Sequence, residues 1–172
     1  MQTISLDPEQ NRFNRLVRRV RALPISRTLQ RRVISWSAGL AVPYLSTSSV
    51  QFEELDGGRA VLSLGNRRKV QNHMKSVHAS AMFLLAEAAT GVVLTANLPE
   101  GSRFATTHIE IDYKRLAVGD LQAVATLTTE QRELLRSQPK GRLSIPVKLT
   151  DVNGNEPASF LIEWSYQHRV RR

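Results

Sequence analysis

The sequence predicts an α+β protein in which an antiparallel β-sheet wraps a long central helix, with two extra helices at the N-terminus. Three observations carry this. From Ala79 to Leu94 the chain is apolar on every helical face and holds one charge, Glu87, and a helix apolar all round must be buried. After it, apolar residues alternate with polar ones over several stretches, the period of half-buried strands. Near the start, residues 11–39 repeat apolar residues at helical spacing. A chain of 172 residues is long enough to bury a real core as one domain.

Phe13, Leu16, Val17 and Val20 recur at i, i+3, i+4 and i+7 and form the apolar side of a helix over residues 11–23, which Pro24 stops. Arg12, Arg15, Arg18, Arg19 and Arg21 take its other positions. A second helix from Ser26 to Gly39 has Leu29, Val33, Ile34 and Trp36 as its buried side. Residues 1–32 hold eight arginines and two acids. These are the solvated sides of packed helices, or a face for weak membrane-surface association through residues 11–32. No aromatics interleave with the arginines as base-stacking platforms, so no nucleic-acid partner is expected. Residues 1–44 read as an N-terminal helical extension and 45–172 as the main domain, forming one structural unit.

From Val50 the period changes to two. Gln51–Leu55 and Arg59–Gly65 read as strands joined at Asp56-Gly57-Gly58. A basic loop, Asn66-Arg67-Arg68-Lys69, precedes the central stretch Asn72–Leu94, which begins polar with His73 and His78. Residues 79–94 rise about 24 Å, short of the ~20 apolar residues of a bilayer helix. No stretch is read as a membrane span. Asn97–Gly101 breaks the chain. Phe104–Arg115 is a long strand, with Ile109, Ile111 and Tyr113 on one face and His108, Glu110, Asp112 and Lys114 on the other. His108 reads as surface. Gly119-Asp120 turns into a strand marked by Leu121, Ala123, Ala125 and Leu127. Thr128-x-x-Gln131 resembles a capping box opening a short helix to Ser137, and Pro139-Lys140-Gly141 ends it. Leu143, Ile145, Val147 and Leu149 mark the next strand, in which Pro146 predicts an edge or a bulge. Asn153-Gly154 turns into the final strand, where Phe160, Ile162, Trp164 and Tyr166 alternate, and Arg169–Arg172 reads as a frayed tail. One helix cannot cover six strands on both faces, so a dimer is expected.

The chain has no cysteine, which excludes disulfides, thiolate metal sites and cysteine nucleophiles and fits a reducing compartment. The first ten residues lack the basic start and apolar run of a signal peptide, and the cytoplasm is expected. A formal charge of +9 asks for an anionic partner. Four histidines are scattered, and His73 and His78 miss the i, i+4 spacing of zinc pairs, so no metal is expected.

The segment Asn72-x5-His78-Ala79-Ser80-x6-Glu87 resembles the motif of hotdog-fold acyl-CoA thioesterases of the phenylacetyl-CoA thioesterase type. That motif is an Asn, a His six positions on, two small residues, usually Gly-Gly, and an acid nine after the His. The stretch from His108 to Asp120 is also similar to that family. The resemblance covers about residues 45–167, and the N-terminal helices look like those of an uncharacterised hotdog subgroup. Two features depart from the pattern: Ala79-Ser80 stands in place of Gly-Gly, and the helix near residues 130–137 is an addition.

The resemblance implies a thioester hydrolase that uses no cofactor and takes an acyl-CoA or acyl-carrier thioester as substrate. Glu87 would activate water or attack directly, with Asn72 and His78 orienting. The backbone at Ala79 and Ser80 would bind the carbonyl oxygen at a helix N-terminus. Arg67, Arg68, Lys114 and Arg115 would contact coenzyme A phosphates. His78 and Glu87 stand about 13 Å and half a turn apart on one helix, so they cannot meet over one substrate within a chain. The resemblance implies composite sites in a homodimer or a dimer of dimers. Two alternatives stay open: a non-catalytic acyl or acyl-CoA binding module, and a dehydratase or hydratase using His73 with Glu87. Each residue also has a plain structural use. Glu87 would be a bonded carboxylate, His78 a helix-start residue, Asn72 a turn residue and the cations solvated loop ends.

Overall fold

The apolar run that starts at Ala79 forms helix α4 of the protein, Ala79–Asn97, in a computed structural model that describes residues 11–169. The leader reading of residues 1–10 and the tail reading beyond Arg169 fall outside the described residues. Ahead of α4 lie α1 (Arg12–Arg21), α2 (Arg27–Ala41), α3 (Pro43–Ser48), β1 (Gln51–Leu55), β2 (Arg59–Leu64) and a 3-10 turn at Arg68–Val70. After it come β3 (Arg103–Tyr113), β4 (Leu121–Thr126), α5 (Thr129–Ser137), β5 (Lys140–Asp151) and β6 (Ala158–Gln167). The six strands form one sheet in the order β1-β2-β4-β5-β6-β3, antiparallel throughout.

Helix α4 runs three residues past Leu94. At 19 residues it is long and apolar enough to cross a membrane by length and composition, contrary to the sequence expectation. Its surroundings account for its apolarity instead. The inner faces of β2, β4, β5 and β6 supply buried Leu62, Leu64, Ala123, Ala125, Ile145, Val147, Phe160 and Ile162 to the same core as Leu85, Ala89, Val93 and Leu94. A polar bond crosses this core. Trp164 Nε1 donates to Thr90 Oγ1 at 2.9 Å, so the buried indole keeps a partner. Gly91 gives that ring room, since a Cβ there would stand 3.4 Å from Trp164 Cη2.

The N-terminal helices are fastened by side chains rather than by apolarity alone. Asn11 caps α1 by accepting from Asn14 N at 2.7 Å. Its amide donates to Thr95 O and Leu98 O, each at 2.9 Å, and the Asn14 amide donates to Ala96 O at 2.8 Å. These bonds satisfy carbonyls that the end of α4 leaves without helical partners. On α2, Ser35 Oγ accepts from Phe52 N of β1 at 2.9 Å, and Arg31 pairs with Glu53. The buried side of α2 is therefore Ile34, Ser35 and Gly39. Leu29 and Trp36, expected inside, are 45% and 65% exposed. A serine with a backbone N–H to bond holds the face that apolarity had assigned elsewhere. Gly39 lets α3 fold back on α2, because a Cβ there would lie 2.8 Å from Ser46 Cβ.

The turns and caps follow the sequence closely. Asp56 Oδ1 accepts from Gly58 N at 2.9 Å and Arg59 N at 2.8 Å in the β1–β2 hairpin. Gly119 and Gly154 both have positive φ. Thr128 and Gln131 form the full capping box of α5. Two strand details differ. The strand β3 shifts register between Thr106 and His108, which puts Phe104 and Thr106 on the same face as Ile109, Ile111 and Tyr113. Pro146 is in a strand flanked by β4 and β6, with no bulge on β6. It sits one residue beyond the last β4 pair, Ala125 with Val147, where a missing N–H breaks no β4 ladder.

The Thr90–Trp164 bond generates a stability prediction. Thr90→Val keeps the shape and strands the indole N–H, at a cost of about 1–3 kcal/mol. A shift of the urea midpoint without a change in slope would show it; an unmoved midpoint would mean that the bond contributes nothing.

Candidate active site

The predicted residues gather at one end and along one line of α4. The segment before the helix is organised by Asn72. Its Oδ1 accepts from Met74 N at 2.9 Å and Ser76 N at 3.2 Å, and its backbone N donates to Ser76 O at 2.8 Å. Lys75 takes a positive φ of 62° inside this turn. Asn72 is thus committed to a turn, and His73 is exposed on it. Ser76 Oγ donates to Ala117 O at 2.7 Å, while Asn66 N donates to Asp120 Oδ1 at 2.8 Å. Those bonds bring the basic loop and the segment after β3 to the N-terminus of α4.

His78 is the N-cap residue of α4. Its Nδ1 accepts from Ser80 N at 3.1 Å and lies 2.8 Å from Ser80 Oγ, which leaves the ring proton on Nε2 when the imidazole is neutral. Ala81 N and Met82 N bond His78 O at 2.9 Å and 3.0 Å. Among the described residues the Ala79 N–H has no acceptor, and Ala79 is exposed. Of the two expected backbone donors, Ala79 is free and Ser80 is occupied by the histidine ring.

The line of α4 that keeps access to solvent runs through Ala79, Phe83, Glu87, Gly91 and Thr95, a step of four residues. It looks toward the inner face of β3 and β6. Tyr113 Oη donates to Ala79 O at 3.3 Å, and Trp164 beside Gly91 meets Phe104 edge-on at 5.5 Å. Glu87 stands between these two contacts. Its carboxylate has no hydrogen bond or ion pair among the described residues, and burial raises its pKa above the ordinary carboxylate value. The bonded-carboxylate reading of Glu87 therefore finds no partner among the described residues. The nearby face of β3 is apolar and open: Phe104, Ile111 and Tyr113 are 37%, 38% and 49% exposed. Tyr113 and Phe83 were not singled out for the site by sequence reasoning. The i+4 spacing from Ala79 to Glu87 was the signal for Phe83, and the alternation after Ile109 was the signal for Tyr113.

The four cations expected at phosphates are exposed at this end. Lys114 pairs with Glu156 at 3.4 Å, and Arg115 Nη1 reaches Asn155 Oδ1 at 3.5 Å. Arg67 and Arg68 point no charge at a carboxylate among the described residues. The wider clefts lie elsewhere, one of about 680 Å³ between α2 and β1 and one of about 670 Å³ where β3, β5 and β6 end. Glu87 lines neither. No group of three or more potential metal ligands occurs among the described residues.

A family model described as a domain of unknown function, DUF4442, matches residues 30–166. No curated protein matches the chain. Solved structures do match. One is a protein of unknown function from Pseudomonas aeruginosa, described as a probable thioesterase, with 22% identity over 86% of this chain and 99% of that one and a TM-score of 0.71. A thioesterase from Haemophilus influenzae is similar at 12% identity over 75% of this chain and 85% of that one, with a TM-score of 0.62. A mutant of the phenylacetic acid degradation protein PaaI from Thermus thermophilus follows at 17% identity, 72% and 97% coverage and a TM-score of 0.58. These likenesses show the hotdog fold.

The geometry makes two predictions. Asn72→Ala removes the acceptor of two backbone N–H groups and should cost about 1 kcal/mol, read from the urea midpoint. For Glu87 the folded-state pKa is raised, so the native state binds the proton more tightly than the unfolded chain. Stability is then lost as pH rises from the ordinary carboxylate range through the raised value. Glu87→Gln should unfold at a higher temperature than wild type at neutral pH, and the difference should vanish below about pH 4. A variant less stable at neutral pH would mean that Glu87 has a charged partner.

Proposed function

Because this chain belongs to the DUF4442 family and has the hotdog fold, we propose that it hydrolyses acyl thioesters, with acyl-CoA or an acyl carrier protein delivering the acyl group. The observation that carries the reading is Glu87, a half-buried carboxylate with no partner among the described residues, on the open line of the central helix. The names of the similar proteins from Pseudomonas aeruginosa and Haemophilus influenzae support the same reaction class.

The chemistry follows from the start and the middle of α4. Glu87 takes a proton from water, and the water oxygen bonds the acyl carbon. The carbonyl oxygen, now negative, accepts from the free Ala79 N–H at the positive end of the helix dipole. Loss of a comparable donor in other enzymes costs about 2.7–4 kcal/mol. The C–S bond then breaks, and the proton held by Glu87 passes to the thiolate. Thiol and carboxylic acid leave, and Glu87 is ionised again. No cofactor enters. His78 and Asn72 are positioning residues in this scheme, one fixing the helix start and the other the turn before it. Direct attack by Glu87, with an anhydride then opened by water, uses the same groups.

About 12 Å of helix separates Glu87 from Ala79's end, so one chain cannot close the site. A homodimer paired through the open apolar face of β3 would bring Glu87 of one protomer toward the helix start of its partner, and two dimers could pair in turn. An unpaired edge with half-exposed Phe104, Ile111 and Tyr113 supports that arrangement. Arg67, Arg68, Lys114 and Arg115 would then border the path of a phosphate-bearing carrier in the cytoplasm.

Thiol release from short, long and aromatic acyl-CoAs, with wild type beside Glu87→Gln, tests the reading. Turnover by wild type that falls at least about 10²-fold in the variant, with binding retained, is expected. Native turnover in the variant would sink the assignment, and binding without turnover in wild type would point to an acyl-binding module. The acid limb of kcat/KM should lie above the ordinary carboxylate value of about 4.5, because Glu87 must be ionised to accept a proton and burial holds its proton on. A limb at the ordinary value would exclude a desolvated base.

A further inference from the structure

Residues 11–50 contain eight arginines, no lysine and no acid. The same segment buries Val17, Val20, Ile34 and Leu45 but leaves several large apolar residues outside. Leu29, Trp36, Leu40, Val42 and Tyr44 are 45%, 65%, 64%, 48% and 55% exposed. On α2, Leu29, Trp36 and Leu40 fall within about 40° of one another at 100° per residue, so they form one stripe, and Arg32 flanks it. The tight Gly39–Ser46 contact folds α3 back at the same corner, which carries Val42 and Tyr44 next to the end of the stripe. Several arginines are held elsewhere: Arg12 and Arg15 by Glu100, Arg31 by Glu53. Arg19, Arg27 and Arg32 are exposed and pair with no carboxylate among the described residues.

We propose that the α2–α3 face docks this protein on an anionic phospholipid surface, with Trp36 and Leu40 at headgroup depth and Arg32 on lipid phosphates. Trp and Tyr rings with one apolar and one polar side fit the membrane–water boundary. Guanidinium groups bond phosphate oxygens in pairs. Charge selects this occupant over a second copy of the chain, which would set arginines against arginines with no acid to relieve them. Nucleic acid offers no place for the aliphatic tips Leu29, Leu40 and Val42. The proposal is independent of the chemistry at Glu87.

The test is co-sedimentation of the full chain with phosphatidylcholine vesicles, with and without phosphatidylglycerol, together with tryptophan emission. Trp164 is buried and bonded to Thr90, so an emission change reports on Trp36. Binding only to the anionic vesicles, a blue shift and weakening by salt are expected. Leu40→Ser with Val42→Ser should remove both sedimentation and shift. Arg32→Glu should weaken binding by about fivefold or more, as one cation near an anionic leaflet contributes about that factor. These side chains are exposed, so an unchanged thermal midpoint certifies the variants. No binding to anionic vesicles, or binding that survives Leu40→Ser/Val42→Ser, would overturn the proposal. So would a fall in sedimentation-velocity mass in that variant, which would show a second copy covering the face.

Discussion

Cover for α4 is the constraint from which the rest of the architecture follows. A helix with one charge in residues 79–94 cannot face water over most of its surface. Four strands supply the inner wall, and Trp164 crosses to Thr90 as a polar tie from the wall to the helix core. The C-terminal carbonyls of the helix would be stranded beneath α1 without Asn11 and Asn14, whose amides bond Thr95 O, Ala96 O and Leu98 O. The first helix therefore finishes the enclosure of a helix that lies far along the chain.

The same enclosure defines what is left open. Cover fails along the line from Ala79 to Thr95, and the strand facing that line, β3, is bonded on one edge alone. The lone acid of the helix falls on this line. Burial raises the Glu87 pKa, and no partner among the described residues opposes that shift, so the group holds a proton more readily than a surface carboxylate does. The helix start contributes one free N–H, at Ala79, because the His78 ring has already engaged Ser80. The place where burial stops is thus the place where the lone carboxylate of the helix can be reached.

Much of this was legible in the residues, for definite reasons. Periods of two in β4 and β6, the Asp56 hairpin, the Thr128 capping box and the uniform apolarity of α4 are local signals with single physical meanings. Glu87 stood out because a charge in that run has few uses. The faces of α2 were not legible, because Leu29 and Trp36 are more apolar than Ser35, yet Ser35 had an N–H of β1 to bond. Nothing local marks the register shift near Thr107, which depends on pairing with β6. The fate of the Ser80 N–H was hidden as well, since a ring nitrogen two residues back competes for it. Tertiary bonds decided each of these cases, and no periodicity encodes a partner that is distant in sequence.

The cations of α1 and α2 have a chemical quality beyond their sign. All eight are arginines. A guanidinium stays protonated across the whole range in which proteins remain folded, so no change of acidity alters the charge of these helices. It is also a poor nucleophile. A lysine amine attacks a thioester and becomes a neutral amide, losing its charge for good, whereas an arginine beside the same reactive acyl donor is left as it was. A protein surrounded by activated acyl groups would keep this surface cationic for its entire lifetime, without repair.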